Sequence, residues 1–110
     1  MNAVLKKLLA FREERDWKQY HRPQNLAQSL VLEAAEVLEI FQWHSTEESL
    51  TQSQKEALSN ELADVYNWVL LLAHDAGIDI EAAALQKIEH NAQKYPVEKA
   101  RGSAKKYSEL

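Results

Sequence analysis

The sequence predicts an all-α protein, a four-helix antiparallel bundle that assembles as a homo-oligomer. Glycine and proline together supply only four of the 110 residues, and no strand-like alternation bounded by turns is present. The runs from Ala27 to Trp43 and from Leu58 to Ala76 carry apolar residues on every side of the helix that each would form, and such helices are buried. Because one domain of this size does not easily bury two such helices, we expect a second copy to cover the excess apolar face.

The first half of the chain contains two predicted helices. Helix 1 extends from about Ala3 to Asp16, and residues 17–23 form a loop. Asn25 is expected to cap helix 2, with Gln28 at the capping-box position. Helix 2 is expected to end near Trp43.

The second half contains the other two. Ser53 begins an S-x-x-E motif and is expected to cap helix 3, which continues to Ala76, since Gly77 suits the position after a helix C-terminus. Asp79 is expected to cap helix 4. Helix 4 runs to about Lys94 and ends at Pro96.

Residues 1–110 are thus expected to form a single helical domain, in which residues 97–110 are a polar tail.

Four carboxylates interrupt the two most apolar runs: Glu33 and Glu36 in the first, Glu61 and Asp64 in the second. Residues three apart share a helix face, so each pair forms one two-carboxylate group. A buried carboxylate requires a cation or a metal, and neither run contains Lys or Arg. The oxygen ligands predict Mg²⁺, for which Mn²⁺ could substitute.

A glutamate pair at this spacing is more often a solvated helix face, but two pairs within apolar helices favour the metal. Each acidic stripe also ends in an indole, Trp43 on helix 2 and Trp68 on helix 3. Taken alone, such residues are more often core or interface anchors than platforms for a base.

Charge is distributed unevenly along the chain. Residues 1–26 carry a net +3, residues 27–86 a net −10 and residues 87–110 a net +3. An acidic centre between basic ends could hold a metal and a polyphosphate, although terminal basic residues are usually solvated. The overall acidity argues against nucleic acid as a partner. With no uninterrupted apolar segment to span or enter a membrane, we expect a soluble, cytoplasmic protein.

Helix-borne carboxylates that hold a metal support two different chemistries. Di-iron carboxylate bundles use Glu-x-x-His on two helices, and none of the four histidines has a glutamate three residues before it. Metal-assisted phosphoryl chemistry fits better, because it needs oxygen ligands and basic phosphate contacts. Aromatic residues beside the acids could stack on a nucleobase.

The pattern Glu33-x-x-Glu36, followed by Glu61-x-x-Asp64 after 24 intervening residues, resembles the metal motif of the MazG-like all-α nucleotide pyrophosphohydrolases. The segments FREERDWKQYHRPQNLAQSLVLEAAEVLEIFQW and KIEHNAQKYPVEKARGSAKKYSEL resemble the short branch that contains dCTP pyrophosphatases. The resemblance extends over nearly the whole chain. Trp68 lies where a relative has tyrosine, and Leu8 lies near the position of a histidine in a eukaryotic relative.

The resemblance implies a four-helix core, a dimer or dimer of dimers, and Mg²⁺-dependent hydrolysis of a nucleoside triphosphate to monophosphate and pyrophosphate. It implies a house-cleaning role on dCTP-like or modified deoxynucleotides. Glu33, Glu36, Glu61 and Asp64 would be the metal-binding and catalytic residues. Residues implied to line the nucleotide pocket are Trp17, Lys18, Gln19, Tyr20, His21, Trp43 and Trp68. Candidate phosphate contacts are Lys87, Asn91, Lys94, Tyr95, Arg101 and Lys106, each of which could equally be a surface residue.

The sequence leaves two alternative functions open. The first is a non-catalytic helical module for interaction or regulation, whose acids bind a structural cation. The second is a hydrolase of broad specificity for damaged or non-standard nucleotides. Nucleotide turnover would separate the first from an enzyme, and a substrate panel would identify the second.

Overall fold

The computed structural model describes residues 2–110, and within them the regular elements are all helical. The prediction of an all-α protein is therefore confirmed. The α-helices are α1 (Ala3–Glu14), α2 (Pro23–Ile40), α3 (Gln52–Asp75), α4 (Ile80–Lys94) and α5 (Val97–Ala100), and 3₁₀ turns occur at Lys18–Tyr20 and Tyr107–Glu109. None of the helices in the described part of the chain has the length and apolarity needed to cross a membrane.

The chain divides into an N-terminal unit that ends at Gly77 and a C-terminal unit, Ile78–Leu110. In the N-terminal unit, α2 and α3 pack extensively as a helical hairpin, and α1 packs against α3. The Asn2 side chain donates a hydrogen bond to the Tyr66 hydroxyl at 3.0 Å. The arrangement as four antiparallel helices and the oligomeric state stay predictions.

The core of the N-terminal unit lies at the beginning of α2 and the C-terminal half of α3. Leu26, Leu70, Leu71 and Ala73 are buried there, together with Arg12 of α1. This core anchors the part of α3 that follows the acidic residues and gives that helix a fixed position against α1 and α2.

The predicted cap of α2 was wrong. The helix begins at Pro23, whose fixed φ suits the first helical position. Asn25 therefore lies inside the first turn, where its side chain donates to the Tyr20 carbonyl at 3.0 Å. That bond ties α2 to the 3₁₀ turn, which replaces part of the predicted loop.

The predicted cap of α3 was also wrong, by two residues. Thr51 accepts a hydrogen bond from the Gln54 backbone at 3.1 Å, and the Gln54 side chain accepts one from the Thr51 backbone at 2.8 Å. This complete capping box outcompetes the motif at Ser53, because it satisfies two otherwise free backbone donors.

Helix α2 ends at Ile40, earlier than the predicted end near Trp43. The backbone turns immediately afterwards, and the His44 amide donates to the Phe41 carbonyl at 3.1 Å. Trp43 has a φ of +66°, in the left-handed region that residues other than glycine rarely adopt. Its indole is 94% exposed.

The C-terminal unit confirms the predicted beginning and end of helix 4. Asp79 caps α4 by accepting from the Ala82 backbone at 3.1 Å, and the helix ends at Lys94. The tail was predicted only as polar, yet Pro96 is the N-cap of the short helix α5. Later in the tail, the Tyr107 ring lies 4.8 Å from the Lys94 ammonium nitrogen.

Helix α2 keeps an apolar face exposed within one chain. Val31, Leu32 and Leu38 are 67%, 66% and 73% exposed, respectively. The helix packs on α3 by one face only, which leaves an apolar face of α2 uncovered. This agrees with the expectation that one chain does not bury both apolar helices on all sides, and the second copy expected to cover the face stays a prediction.

Candidate functional site

The four acids of the motif meet where α2 packs against α3. Carboxylate oxygens of Glu33, Glu61 and Asp64 all lie within 4.8 Å of one another. The carboxyl group of Glu36 approaches those of Glu33 and Glu61 from one helical turn along α2. Three-residue spacing on each helix produces this cluster, because it directs both acids of a pair to the shared interface.

No basic side chain neutralises the acidic cluster. In the part of the chain that the structure describes, none of the four acids forms an ion pair with Lys, Arg or His. One oxygen of Glu33 and one of Glu61 are buried without any hydrogen-bond partner. A buried carboxylate oxygen without a partner is unfavourable unless a cation occupies the space beside it.

The pKa values of the cluster show that its carboxylates repel one another. The hydrogen bond with Glu36, then burial, raise the pKa of Glu61 from 4.5 to about 7. Burial, followed by the contact with Glu36, raises the pKa of Glu33. Crowded carboxylates hold protons in this way when no cation is bound.

The chemistry of the cluster suits a divalent cation. The donors are all carboxylate oxygens, those of three residues lie within 4.8 Å of one another, and two oxygens have no protein partner. Hard cations such as Mg²⁺ and Mn²⁺ prefer such ligands.

A cavity of about 490 Å³ opens beside the cluster, and Glu33 and Asp64 border it. Its wall comes from α1, the segment after α1, and α3. The apolar and aromatic lining residues are Val4, Leu8, Phe11, Trp17, Trp68 and Leu71, and the remaining polar ones are Lys7, Arg12, His21 and Asn67. An apolar cavity of this size with a few convergent polar groups is typical of a small-molecule site.

The aromatic rings of the cavity are arranged in two edge-to-face pairs. The Phe11 and Trp17 ring centroids lie 5.7 Å apart, and those of His21 and Trp68 lie 5.6 Å apart. Burial and then the positive charge of Arg12 lower the pKa of His21 below 6.5, which keeps its imidazole neutral at pH 7. The cavity therefore offers flat, uncharged surfaces next to a strongly acidic edge.

A buried ion pair lies beside the same cavity, because one of its members, Arg12, lines the cavity. Arg12 donates two hydrogen bonds to Asp75, at 2.8 and 2.9 Å, and these bonds hold the pKa of Asp75 below its usual value. The Arg12 carbonyl accepts from the Trp17 amide at 3.1 Å. The pair thereby joins α1 to the end of α3 and fixes the segment that carries Trp17.

The residues predicted from sequence to bind the nucleotide divide into two groups in the N-terminal unit. Trp17, His21 and Trp68 line the cavity. The other four, which do not line it, are Lys18, Gln19, Tyr20 and Trp43. The Lys18 ammonium lies 3.7 Å from Asp75, and the Gln19 side chain donates to Asp16, whereas Tyr20 and Trp43 are exposed. The roles of all seven stay predictions.

The predicted phosphate contacts all belong to the C-terminal unit, which is described by itself. Lys94 and Tyr95 contact Tyr107 there, through a cation–π and an edge-to-face contact. The other four are exposed: Lys87, Asn91, Arg101 and Lys106. Their roles stay predictions as well.

Sequence reasoning missed several groups around the cavity. Lys7, Phe11 and Asn67 line it, and the Arg12–Asp75 pair supports it. For Asn67 a signal was present, because it lies three residues after Asp64 at the start of a long apolar stretch of α3. For the ion pair there was none, since its partners are 63 residues apart.

Comparison with known proteins agrees with the geometry. A structure of a pyrophosphatase from Archaeoglobus fulgidus is 38% identical, with a TM-score of 0.73, and the match covers 84% of this chain and 89% of that one. Proteins named dCTP pyrophosphatase 1 from Rattus norvegicus and Homo sapiens are 42% and 40% identical over 104 residues. Each of these two matches covers 91% of this chain but only 61% of the relative.

The MazG-like family model matches residues 28–110, a range that contains all four acids of the cluster, all of α3 and most of α2. Together with the similarity to these relatives over most of the chain, this match establishes that the chain belongs to the MazG-like family.

Proposed function

We propose that this chain is a Mg²⁺-dependent nucleotide pyrophosphohydrolase that converts a nucleoside triphosphate to its monophosphate and pyrophosphate. The observation that carries the proposal is an acidic cluster that no basic side chain of the described residues neutralises, at the edge of an apolar aromatic cavity. A nucleotide has the matching form, because its base is flat and weakly polar and its triphosphate binds metal ions. Similarity to proteins named dCTP pyrophosphatase 1 favours dCTP-like pyrimidine deoxynucleotides as substrates.

The four carboxylates have a defined part in this reaction. Glu33, Glu36, Glu61 and Asp64 would hold the metal ion, which when bound offsets the negative charge that develops on the phosphate oxygens. A water molecule attacks a phosphorus of the triphosphate, and the phosphorus–oxygen bond that joins the monophosphate to the pyrophosphate breaks. A carboxylate of the cluster accepts the proton that this water loses.

The cavity has the complementary task of placing the base. Trp17, His21 and Trp68 present faces and edges of rings on which a base can stack. Because His21 is neutral, it adds no charge to the region where the base would lie. Glu33 and Asp64 belong both to the cavity border and to the cluster, so a nucleotide whose base occupies the cavity would have its phosphates near the metal.

We further propose that the enzyme is a homo-oligomer whose subunits cover the exposed face of α2. Val31, Leu32 and Leu38 are each about two-thirds exposed or more, and contiguous apolar surface of this kind marks interaction sites. Sedimentation at micromolar concentration should show a dimer or tetramer, and Leu38→Lys should shift it towards monomer. A wild-type monomer would overturn this part of the proposal.

The basic residues of the C-terminal unit are proposed as phosphate contacts, and a nucleotide-pool enzyme would act in the cytoplasm. Single alanine variants of Arg101 and Lys106 should raise the KM for the triphosphate without changing the far-ultraviolet circular dichroism. A KM unchanged in both variants would remove these two residues from the site.

The decisive experiment incubates the purified protein with a panel of ribonucleoside, deoxynucleoside and modified dCTP triphosphates, with and without Mg²⁺. The expected products are monophosphate and pyrophosphate, only when Mg²⁺ is present. Release of orthophosphate would identify cleavage of a different bond and overturn the proposal. Absence of turnover across the panel would favour a cation-binding module without catalysis.

A further inference from the structure

The wall of the cavity contains one carboxamide, that of Asn67. The residue is half-buried on α3. The carboxamides of Asn2 and Asn25 are both bonded to other protein groups. That of Asn67 has no hydrogen-bond partner among residues 2–110, although it lies in a mostly apolar cavity.

The other polar groups of the wall are less suited to reading a base. Both terminal nitrogens of Arg12 are engaged by Asp75. The Nδ1 atom of His21 is buried, which leaves one ring nitrogen, and a neutral imidazole nitrogen either donates or accepts but does not do both. Lys7 can only donate, and its side chain belongs to an exposed position of α1. Asn67 offers a donor and an acceptor side by side in one planar group.

The position of Asn67 on α3 suits contact with a bound base. It follows Asp64 by three residues, so both side chains lie on one face of the helix, and it precedes Trp68 by one. All three residues line the cavity, so the amide shares its wall with a proposed metal ligand and an aromatic ring. Leu70 and Leu71, the next turn of α3, are buried and fix the helix there.

We propose that Asn67 is a specificity-determining residue that hydrogen-bonds the edge of the nucleobase, an inference that rests on the proposed function. Its acceptor and donor can pair with the amino group and ring nitrogen of cytosine. With the amide rotated by half a turn, they pair with the ring N–H and carbonyl of uracil. Asn67 therefore selects bases that carry an adjacent donor and acceptor on their edge over bases that lack them, and it accepts both orders of donor and acceptor.

The test compares wild type with Asn67→Leu, which retains similar volume but removes the hydrogen bonds. The measurement is kcat/KM for dCTP, dUTP and a deoxynucleoside triphosphate whose base is a difluorotoluene, a shape mimic that pairs poorly. We expect dCTP and dUTP to lose about 10- to 100-fold, as expected for unpaired polar groups, while the mimic changes less than about threefold. Gln52→Leu, an amide-to-leucine change at the exposed start of α3, is the matched control and should leave all three values unchanged.

Equal losses for all three substrates would overturn the proposal, because they would show that the substitution only disturbs the cavity. Unchanged values for dCTP and dUTP would overturn it too. These outcomes differ from failure of the proposed function, in which the wild type itself releases no pyrophosphate from any triphosphate.

A second measurement needs no variant and covers a failure of Asn67→Leu to fold. Deoxycytidine, which carries no phosphate, is titrated into isotope-labelled wild type while the side-chain amide resonances are followed. The Asn67 amide should shift with deoxycytidine and much less with the difluorotoluene nucleoside. Shifts of equal size with both nucleosides, or none with deoxycytidine, would refute the contact.

Discussion

The N-terminal unit contains two sets of partly buried charges that differ in how they are balanced. Arg12 and Asp75 form a bidentate pair, and their side chains are only 5% and 11% exposed. The acidic cluster instead gathers four carboxylates, and within residues 2–110 no basic group pairs with them. One set is neutralised within the chain, whereas the other has no counter-charge among the described residues.

The pKa values express this difference directly. Hydrogen bonds from Arg12 lower the pKa of Asp75, whereas contact with Glu36 and burial raise that of Glu61 to about 7. A carboxylate held by an arginine stabilises the fold, because opposite charges compensate for lost hydration. A carboxylate held beside other carboxylates destabilises the metal-free fold, and this is the usual signature of a site that serves function.

The largest expected effect comes from breaking the acidic cluster. Asp64→Asn should lower pyrophosphate release at saturating Mg²⁺ by at least about 100-fold, since a charged metal ligand is lost. The melting temperature without metal should not fall, because one repulsive charge is removed.

Glu39→Gln, an exposed change on the same hairpin, is the control and should retain activity. An Asp64→Asn enzyme with near wild-type turnover would exclude this carboxylate from the site. A second variant, Glu36→Gln, should behave like Asp64→Asn.

Breaking the ion pair of Arg12 and Asp75 should mainly lower stability, whereas breaking the acidic cluster should mainly lower activity. Asp75→Asn leaves the buried guanidinium of Arg12 without its counter-ion, and the free energy of unfolding should fall by about 3 kcal/mol. Urea titration monitored by circular dichroism measures this change.

Glu14→Gln removes an exposed partner of Arg15 and should change stability by less than about 0.5 kcal/mol. Equal effects of Glu14→Gln and Asp75→Asn would show that burial does not distinguish the two ion pairs.

The pH dependence sharpens the comparison, because the two sets titrate with opposite sign. Glu61 has a folded-state pKa of about 7, above its usual 4.5, so its contribution should reduce the unfolding free energy as pH rises from about 4.5 to about 7. Asp75 has a lowered pKa, so its contribution is present at neutral pH and is lost as pH falls below 3.8.

Saturating Mg²⁺ should suppress the loss of stability between pH 4.5 and 7, since metal binding favours the ionised carboxylates. Thermal unfolding at a series of pH values, with and without Mg²⁺, measures both trends. An increase in melting temperature from Mg²⁺ that is the same at pH 5 and pH 8 would contradict the assignment of Glu61 as a ligand.

The smallest expected effect concerns the outer edge of the ion pair. The Lys18 ammonium lies 3.7 Å from Asp75, but the Lys18 side chain is 68% exposed. Lys18→Ala should therefore change the unfolding free energy by less than about 1 kcal/mol. The same variant tests the predicted nucleotide contact, because a rise in KM with unchanged stability would assign Lys18 to substrate binding, and an unchanged KM would remove it.

The sequence revealed the acidic cluster more readily than the cavity. Glu33, Glu36, Glu61 and Asp64 are visible as acids at helical spacing within apolar runs, so local periodicity was sufficient to group them in pairs. The cavity depends on residues from α1 and α3 that are distant in sequence, such as Phe11 and Asn67. No periodicity within either helix indicates that they line one space.

Helix boundaries show the same division at smaller scale. Asp79 and Gly77 were identified correctly, because each acts through its own neighbouring backbone. Asn25 and Ser53 were misassigned where two local capping solutions competed. Pro23 and Thr51 provided the starts that the folded chain uses.

The sequence by itself determined the helical class, the family and the four acids that would bind a metal, because helical periodicity and residue chemistry are local properties. Only the tertiary structure decided that Arg12 neutralises Asp75 while the cluster has no such partner. The same packing placed Asn67 in the wall of the cavity and decided which face of α2 stays exposed. These outcomes depend on which surfaces meet when the helices pack, since long-range contacts decide which charges are compensated and which remain available to a ligand.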